Sequence, residues 1–295
     1  MRSGKPVEAG PAAYLEKLTV DVTVATKNSV RTLDKCLEAI HTNVPIRRLI
    51  IVDAGSNDGT LAIAKKYDAL IIIEPGPLGR VRYVQAQNCE TEWIAFVDSD
   101  VYLYKSWWPE VEKYVLQDEV GMILAFSDAP VRGFPIYEEY LKHIARKFGA
   151  AAFSNTLVRR ELVLSCKELL NNIHAGEDTI LARHIKKQKM RIVTITIPLC
   201  LHDKTAVDDH PKAFYRWGQS SRMVGGREGL KNLIKTLKNN LRNWLLFTWE
   251  SKRLSIRLLA FLIYLWGWML VGYMRPHHEF VTNQITNDLQ VTFSL

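Results

Sequence analysis

The chain lacks three features that mark common classes of protein. Its four cysteines lie far apart and form no C-x-x-C pair, which argues against a zinc knuckle or a disulfide framework and suits a reducing compartment. No G-x-G-x-x-G follows the first apolar segment, so the dinucleotide-binding fingerprint is absent. Residues 1–11 contain no apolar run of the kind that forms a signal peptide, so we expect the residues that follow to stay in the cytosol.

Positive charge is plentiful but unevenly placed. The net charge is +8 at pH 7, and residues 222–257 hold nine Lys or Arg against two Glu. An uncharged apolar block, residues 258–274, follows directly and just reaches the length that a helix needs to cross a bilayer. A basic segment beside such a block suits a membrane surface better than nucleic acid, so we expect a membrane partner and no nucleic acid. A buried core helix or a dimerisation helix is the alternative.

Apolar segments alternate with helical patterns over roughly the first hundred residues, an order that predicts a right-handed parallel α/β sheet. The predicted strands lie at 20–25, 49–52, 70–73, 93–97, 121–126 and 191–197, and Pro198 is expected to end the last of them. Beyond residue 100 the predicted helices lie at 107–116, 138–148, 159–170 and 176–187.

Two carboxylates stand at the end of the fourth predicted strand. Asp98 and Asp100 are one residue apart and directly follow the apolar run 93–97. Open parallel sheets bind ligands at the carboxyl ends of their strands, and two acids placed there repel each other unless a cation compensates them. Hard oxygen ligands in small number suit Mg²⁺ or Mn²⁺, which complete their shells with water and substrate phosphate. The pair therefore indicates a metal–diphosphate site, with a strand cap or a turn as the alternative.

Four motifs occur in a fixed order along the chain. Residues 26–28 (TKN) follow the first strand, 53–60 (DAGSNDGT) the second and 98–100 (DSD) the fourth, and 176–178 (GED) come later. Together they resemble the family-two glycosyltransferases, which have the GT-A fold and use nucleotide-diphospho-sugars. The resemblance implies a Rossmann-like α/β domain with a mainly parallel central sheet flanked by helices. Basic amphipathic helices and a hydrophobic membrane helix follow at the C-terminal end.

The resemblance also implies which residues hold the nucleotide-sugar. Asp53 stands where relatives contact the nucleobase, and Thr26 and Asn28 are expected to line the nucleotide pocket. Arg82 corresponds to a basic residue that meets the nucleotide, where its charge would offset phosphate; Arg80 is a second candidate. A turn acid is the alternative for Asp53, and a helix cap is the alternative for Asn28.

For the metal, the resemblance implies that Asp100 binds the divalent cation, Mg²⁺ or Mn²⁺, that bridges the diphosphate. Asp98 is expected to contact the ribose or the metal shell. The cation matters because the leaving nucleoside diphosphate develops negative charge as the glycosidic bond breaks. His202 follows the last predicted strand and is a candidate third ligand, since some GT-A enzymes supply a late histidine; a structural loop histidine is the alternative.

For the chemistry, the resemblance implies that Asp178 is the general base that takes a proton from the acceptor hydroxyl. Glu177 is expected to orient the base or the acceptor, and a single displacement inverts the anomeric carbon. Both acids also suit the positive end of a helix, which is the structural alternative.

Residues 219–223 (QSSRM) resemble the Q-x-x-R-W signature of processive relatives, but Met223 stands in place of the Trp. The missing indole removes a stacking platform for a sugar, so the signature does not extend to a prediction of processive polymerisation. Arg222 is expected to help neutralise the diphosphate.

The predicted function is that of a membrane-associated inverting glycosyltransferase on the cytoplasmic side of the cell membrane. It would move sugar from a UDP- or GDP-sugar to a hydroxyl of a lipid-linked saccharide or another glycolipid. A polyprenyl-phosphate sugar transferase, a nucleotidyltransferase and a non-catalytic membrane scaffold are the alternatives. The predicted segments are 1–18 (polar tail), 19–215 (catalytic domain), 216–257 (basic interfacial helices), 258–274 (membrane-anchoring or transmembrane helix) and 275–295 (C-terminal tail).

Overall fold

The structure is a computed structural model that describes residues 18–128, 134–148, 153–203, 209–223 and 226–275. Its strands are β1 (Val20–Thr26), β2 (Ile46–Asp53), β3 (Leu70–Ile73), β4 (Trp93–Asp98), β5 (Val101–Leu103), β6 (Val120–Asp128), β7 (Asn155–Arg159) and β8 (Arg191–His202). Its helices are α1 (Leu33–Asn43), α2 (Thr60–Lys66), α3 (Leu78–Gln87), α4 (Trp107–Val111), α5 (Pro135–Phe148), α6 (Arg160–Leu164), α7 (Lys167–Leu170), α8 (Glu177–Lys187), α9 (Asp209–Met223), α10 (Gly226–Ser251) and α11 (Ile256–Met274). Apart from residues 18 and 275, the two predicted tails lie outside the described residues.

A single eight-stranded sheet runs in the order β3-β2-β1-β4-β7-β6-β8-β5. The half formed by β3, β2, β1 and β4 is parallel throughout. In the other half, β7 runs antiparallel to both of its neighbours, β6 and β8 are parallel, and β5 pairs antiparallel with β8. Apolar cores cover both faces of the sheet beneath the helices. The predicted α/β fold is confirmed, with a sheet that is mixed rather than uniformly parallel.

The parallel register brings polar residues together at one edge of the sheet. Thr26 pairs with Asp53 across β1 and β2, and Ala25 pairs with Asp98 across β1 and β4. The carboxyl ends of three neighbouring strands therefore meet at one level, where an open α/β sheet binds its ligand.

The prediction of one continuous helix over 159–170 is wrong only in its start and its continuity. Residues 160–164 and 167–170 are the helices α6 and α7, and residue 159 ends β7, which inserts antiparallel between β4 and β6. All five residues of β7 are buried, but only Leu157 and Val158 are apolar, so the segment shows neither the apolar run nor the alternation that predicts a strand. The prediction that Pro198 ends a strand is also wrong, because β8 continues through an irregular register to His202.

Helices α5, α9, α10 and α11 form a third apolar core outside the sheet, which includes Tyr137, Phe214, Phe247 and Phe261. Helices α9 and α11 touch through glycines. A Cβ on Gly272 would lie 2.1 Å from the carbonyl oxygen of Tyr215, so the two backbones are in direct contact there. Helix α9 crosses the predicted boundary between residues 215 and 216 and joins the C-terminal helices to the sheet domain.

Within the described ranges, one helix, Ile256–Met274, is long and apolar enough to cross a membrane, with a mean hydropathy of 1.6. A third of its most apolar window is buried against the rest of the protein. Core helices of soluble proteins satisfy the same length and hydropathy criteria, so membrane association stays a prediction.

Candidate active site

A cleft of about 640 Å³ opens at the carboxyl ends of β1 and β4. The end of β4, the end of β8 and one face of α9 line it. This is the place where the sequence predicts the ligand crevice, and most of the predicted metal-binding and nucleotide-binding residues lie in it or directly beside it.

Asp98, Asp100 and His202 form the polar centre of the cleft. One ligand atom from each lies within 4.8 Å of the others, and His202 Nε2 is 3.2 Å from Asp100 Oδ1. The antiparallel pairing of β5 with β8 places His202 opposite Val101, directly beside the acids. Two carboxylates that are one-third exposed and one imidazole fit a cation such as Mn²⁺ or Mg²⁺.

Arg82 of α3 is the buried cation of the site. Its Nη2 donates to Asp98 Oδ1 at 2.7 Å, and its Nε lies 3.7 Å from Glu177 Oε1. The guanidinium also sits over the ring of Phe153, 5.1 Å from the centroid. Burial lowers the pKa of Arg82, but Asp98 and Glu177 outweigh this and raise it overall, so the charge is permanent. Arg80 instead pairs with Glu74 away from the site, which places Arg82 and not Arg80 in the active centre.

Glu177 and Asp178 begin α8, directly after Gly176, whose φ of 83° is the left-handed conformation that favours glycine. Glu177 is buried, and burial raises its pKa to about 7 against the opposing charge of Arg82. Burial also raises the pKa of Asp178. Carboxyl groups with raised pKa values take up a proton at a higher pH than exposed ones, which suits a group that accepts a proton during a reaction.

Asp53 is fully buried and does not line the cleft. Its Oδ1 accepts from the backbone amides of Gly55 and Ser56, and its Oδ2 accepts from the hydroxyls of Thr26 and Ser56 at 2.7 and 2.6 Å. These bonds occupy the four acceptor positions of the carboxylate. Asp53 therefore holds the loop after β2 in shape, and its contact with a nucleobase stays a prediction.

Asn28 does line the cleft, with a φ of 51°. Its Oδ1 accepts from the amide of Asn57, and its own amide donates to Ser56 Oγ. These bonds tie the loop after β1, which lines the cleft, to the loop after β2.

Arg222 lies apart from the paired acids. It is exposed at the end of α9 and donates to the carbonyl oxygens of Tyr273 and Met274, the last residues of α11. The structure does not bring it to the lining of the cleft. Its predicted contact with the diphosphate thus has no geometric support, because its guanidinium caps the last carbonyl groups of α11 instead.

The sequence reasoning missed several cations that the fold brings to the cleft. Lys212 and Arg216 stand one turn apart on α9, and Lys27 and Arg31 follow β1. The i,i+4 spacing of the first two was a readable signal for one basic helix face. Nothing local in the sequence shows that this face meets the end of β4.

The fold is of the GT-A type. Residues 21–165, just under half of the chain, match the family model of glycosyl transferase family 2.

Similar proteins agree with this assignment. An uncharacterized glycosyltransferase from Rickettsia felis is 26% identical over 149 residues, which cover 47% of this chain and 51% of that protein. The chain thus spans about half the length of the curated relatives that it matches.

Two solved structures share the fold. The mannosyltransferase PcManGT from Pyrobaculum calidifontis, in complex with GDP-Man and Mn²⁺, is 15% identical with a TM-score of 0.56, over 86% of this chain and 85% of that chain. Glucosyl-3-phosphoglycerate synthase from Mycobacterium tuberculosis, in complex with Mn²⁺ and UDP-glucose, is 18% identical with a TM-score of 0.51, over 67% of this chain and 75% of that chain.

Proposed function

We propose that this protein transfers a sugar from a nucleotide-diphospho-sugar to an acceptor hydroxyl, with inversion at the anomeric carbon. The observation that carries the proposal is the continuous chain of charges at the sheet edge. One ligand atom each of Asp98, Asp100 and His202 lies within 4.8 Å of the others, Asp98 pairs with Arg82, and Arg82 pairs with Glu177 beside the candidate base. The proposed metal–diphosphate site and the proposed proton acceptor are thus linked by one network of charges.

A divalent cation is proposed as the cofactor, with Asp98, Asp100 and His202 as its ligands. When bound, such an ion would neutralise the charge of the leaving nucleoside diphosphate. The Pyrobaculum and Mycobacterium proteins hold Mn²⁺ together with a nucleotide-sugar, which supports this assignment and favours UDP- or GDP-sugars as donors. Lys212 and Arg216 add positive charge along the same cleft, where phosphate groups would lie.

Asp178 is proposed as the general base. Its carboxylate would accept the proton of the attacking hydroxyl, and Glu177 would orient it through the shared start of α8. Arg82 has two tasks here. It holds Asp98 by a hydrogen bond of 2.7 Å, and its positive charge opposes the rise in the pKa of Asp178 that burial causes.

We further propose that the acceptor is attached to a lipid and that the protein works at the cytoplasmic face of a membrane. Helix α10 supports this, because it presents an exposed apolar stripe with basic residues along one side. The stripe consists of Leu230, Ile234, Leu241, Leu245 and Trp249. Exposed Lys231 and Arg242 follow it at helical spacing. An apolar stripe with a basic margin suits a helix that lies in the headgroup region of an anionic bilayer. Because α11 packs along α9 and α10, attachment in the plane of the membrane fits the fold better than a free span.

A donor-binding panel tests the proposed function. We expect the full-length protein to bind one of the UDP-, GDP- or dTDP-sugars by calorimetry with Mn²⁺ or Mg²⁺, and to lose that binding in chelator. Asp100→Asn should lose it as well, whereas Asp118→Asn, a change at an exposed acid outside the cleft, should keep it. If the folded protein binds none of these donors under any metal condition, the proposal is wrong.

Asp178→Asn tests the role of the base. The variant should keep the donor affinity and lose turnover by about 10²- to 10⁴-fold, because only proton transfer is removed. Equal losses of donor affinity and turnover would show a structural role. Full turnover would favour an acceptor that is already anionic, such as a polyprenyl phosphate.

A further inference from the structure

A second cavity, of about 450 Å³, lies at the start of α8. Its lining comes from the start of α8 and from α9, α10 and α11, and it shares no lining residue with the cleft. Asp178 faces into this cavity, whereas Arg82 and Asp98 face the cleft. The candidate base therefore stands where two separate cavities approach each other.

The second cavity carries two cations that the proposed donor site does not use. Arg183 of α8 and Lys235 of α10 line it from two different helices. Both side chains are exposed, and neither forms an ion pair with another residue in the described ranges. Among the lining residues, Asp178 is the one carboxylate. Two cations that line a cavity with one carboxylate, Asp178, and that form no ion pair with it mark a place for an anion.

The rest of the lining is part polar and part apolar. Thr236 and Asn239 offer a hydroxyl and an amide from α10. Trp217, which is 41% exposed, and Met269 form an apolar wall from α9 and α11. Two cations, one amide and one hydroxyl together with an indole and a thioether suit a ligand that joins a phosphate to an apolar or a ring-shaped group.

We propose that this cavity is the acceptor site and that it binds an acceptor carrying a phosphate or diphosphate group. This inference rests on the proposed transferase function and names its acceptor class. Arg183 and Lys235 would hold the phosphate, and Trp217 and Met269 would contact the group attached to it. The acceptor hydroxyl would then reach Asp178 from the side opposite the donor. The oxygen forms the new bond to the anomeric carbon, the bond to the nucleoside diphosphate breaks, and the hydroxyl proton goes to Asp178.

Binding of farnesyl diphosphate to the full chain tests the inference. Calorimetry in detergent with a chelator keeps the metal-dependent donor site from competing. Arg183→Ala and Lys235→Ala should each weaken binding by about tenfold or more, as expected for the loss of one charge-assisted contact. The matched changes Lys186→Ala on α8 and Lys238→Ala on α10 remove exposed charges outside the cavity and should leave the affinity unchanged.

Two further probes identify the source of the phosphate. Binding of farnesyl diphosphate that is much tighter than binding of inorganic pyrophosphate supports a lipid-linked acceptor. Equal affinity of the two supports a water-soluble phosphorylated acceptor. The inference is overturned if farnesol binds as tightly as farnesyl diphosphate, or if the control variants lose as much affinity as Arg183→Ala and Lys235→Ala.

The donor panel separates this inference from the proposed function. Arg183→Ala and Lys235→Ala should bind the nucleotide-sugar like the unchanged protein, because neither residue lines the cleft. If both variants bind the nucleotide-sugar normally and also bind farnesyl diphosphate like the unchanged protein, the acceptor-site inference is wrong and the transferase function is unaffected. Absence of donor binding would defeat the transferase function itself.

Discussion

Replacing Glu177 by Gln should make the protein more stable above neutral pH. Glu177 lies 8% exposed at the start of α8, and burial raises its pKa from the ordinary 4.5 to about 7. Between these two values the folded protein holds a proton on Glu177 and the unfolded chain does not, so stability falls as the pH rises. At about 1.36 kcal/mol for each pKa unit, the loss reaches about 3 kcal/mol above pH 7. A glutamine resembles the protonated acid in shape and removes this loss.

Urea unfolding of both proteins at pH 5 and pH 8, in chelator, measures the effect. The free energy of unfolding of Glu177→Gln relative to the unchanged protein should rise by about 3 kcal/mol between the two pH values. Glu161→Gln is the matched control, because it makes the same chemical change at an exposed position of α6. A variant that is less stable than the unchanged protein at pH 8 would refute the reasoning. That result would mean that the ion pair with Arg82, 3.7 Å away, outweighs the cost of burying the charge.

Two further predictions concern the C-terminal helices. Changing Leu245 and Trp249 together to Ser should lower binding to phosphatidylserine-containing vesicles by about tenfold or more in a flotation assay, because these side chains are 58% and 84% exposed and would enter the lipid. Leu116→Ser, an exposed apolar change in the sheet domain, should have no effect, and flotation that is equal for all variants would contradict the membrane proposal. Gly272→Ala should destabilise the fold by about 1–3 kcal/mol, because its Cβ would lie 2.1 Å from a backbone oxygen of α9. Gly267→Ala, on the same helix with no atom within 4 Å, should be neutral or stabilising, and equal melting temperatures for the two variants would show that the helices separate freely.

The local sequence pattern was sufficient to predict much of the sheet and part of the site. The segments that become β1 to β4 are short, rich in apolar residues and bounded by turn residues, so they predict a parallel sheet directly. Asp98 ends β4 and Asp100 follows two residues later, which places both at the carboxyl edge of the sheet. His202 was a candidate through the resemblance alone, because the strand that carries it to the acids was predicted to end at residue 197 and continues to His202 in the structure.

Only the tertiary structure shows the features that depend on contacts between residues far apart in the chain. Asp53 sits at the predicted strand end, yet its role is set by four hydrogen bonds, one from the end of β1 and three from the loop after β2. Arg80 and Arg82 are the same residue type two positions apart, so the sequence hardly distinguishes them. The packing of α3 buries Arg82 between Asp98 and Glu177. The insertion of β7 between β4 and β6 likewise depends on pairing across more than thirty residues, which no local pattern records.

The C-terminal third shows most clearly what the sequence alone predicts and what requires the three-dimensional structure. Composition alone identified a basic segment and an apolar helix, because charge and hydropathy are properties of each residue. Whether the apolar helix lies in lipid or against the protein depends on which surface meets it, and the contact of Gly272 with α9 is visible only in three dimensions. The cavity between Asp178, Arg183 and Lys235 also joins residues from two helices about fifty positions apart. Sequence determines the chemistry that each residue carries, and the fold determines which of these residues share a site, because that depends on distances between segments far apart in the chain.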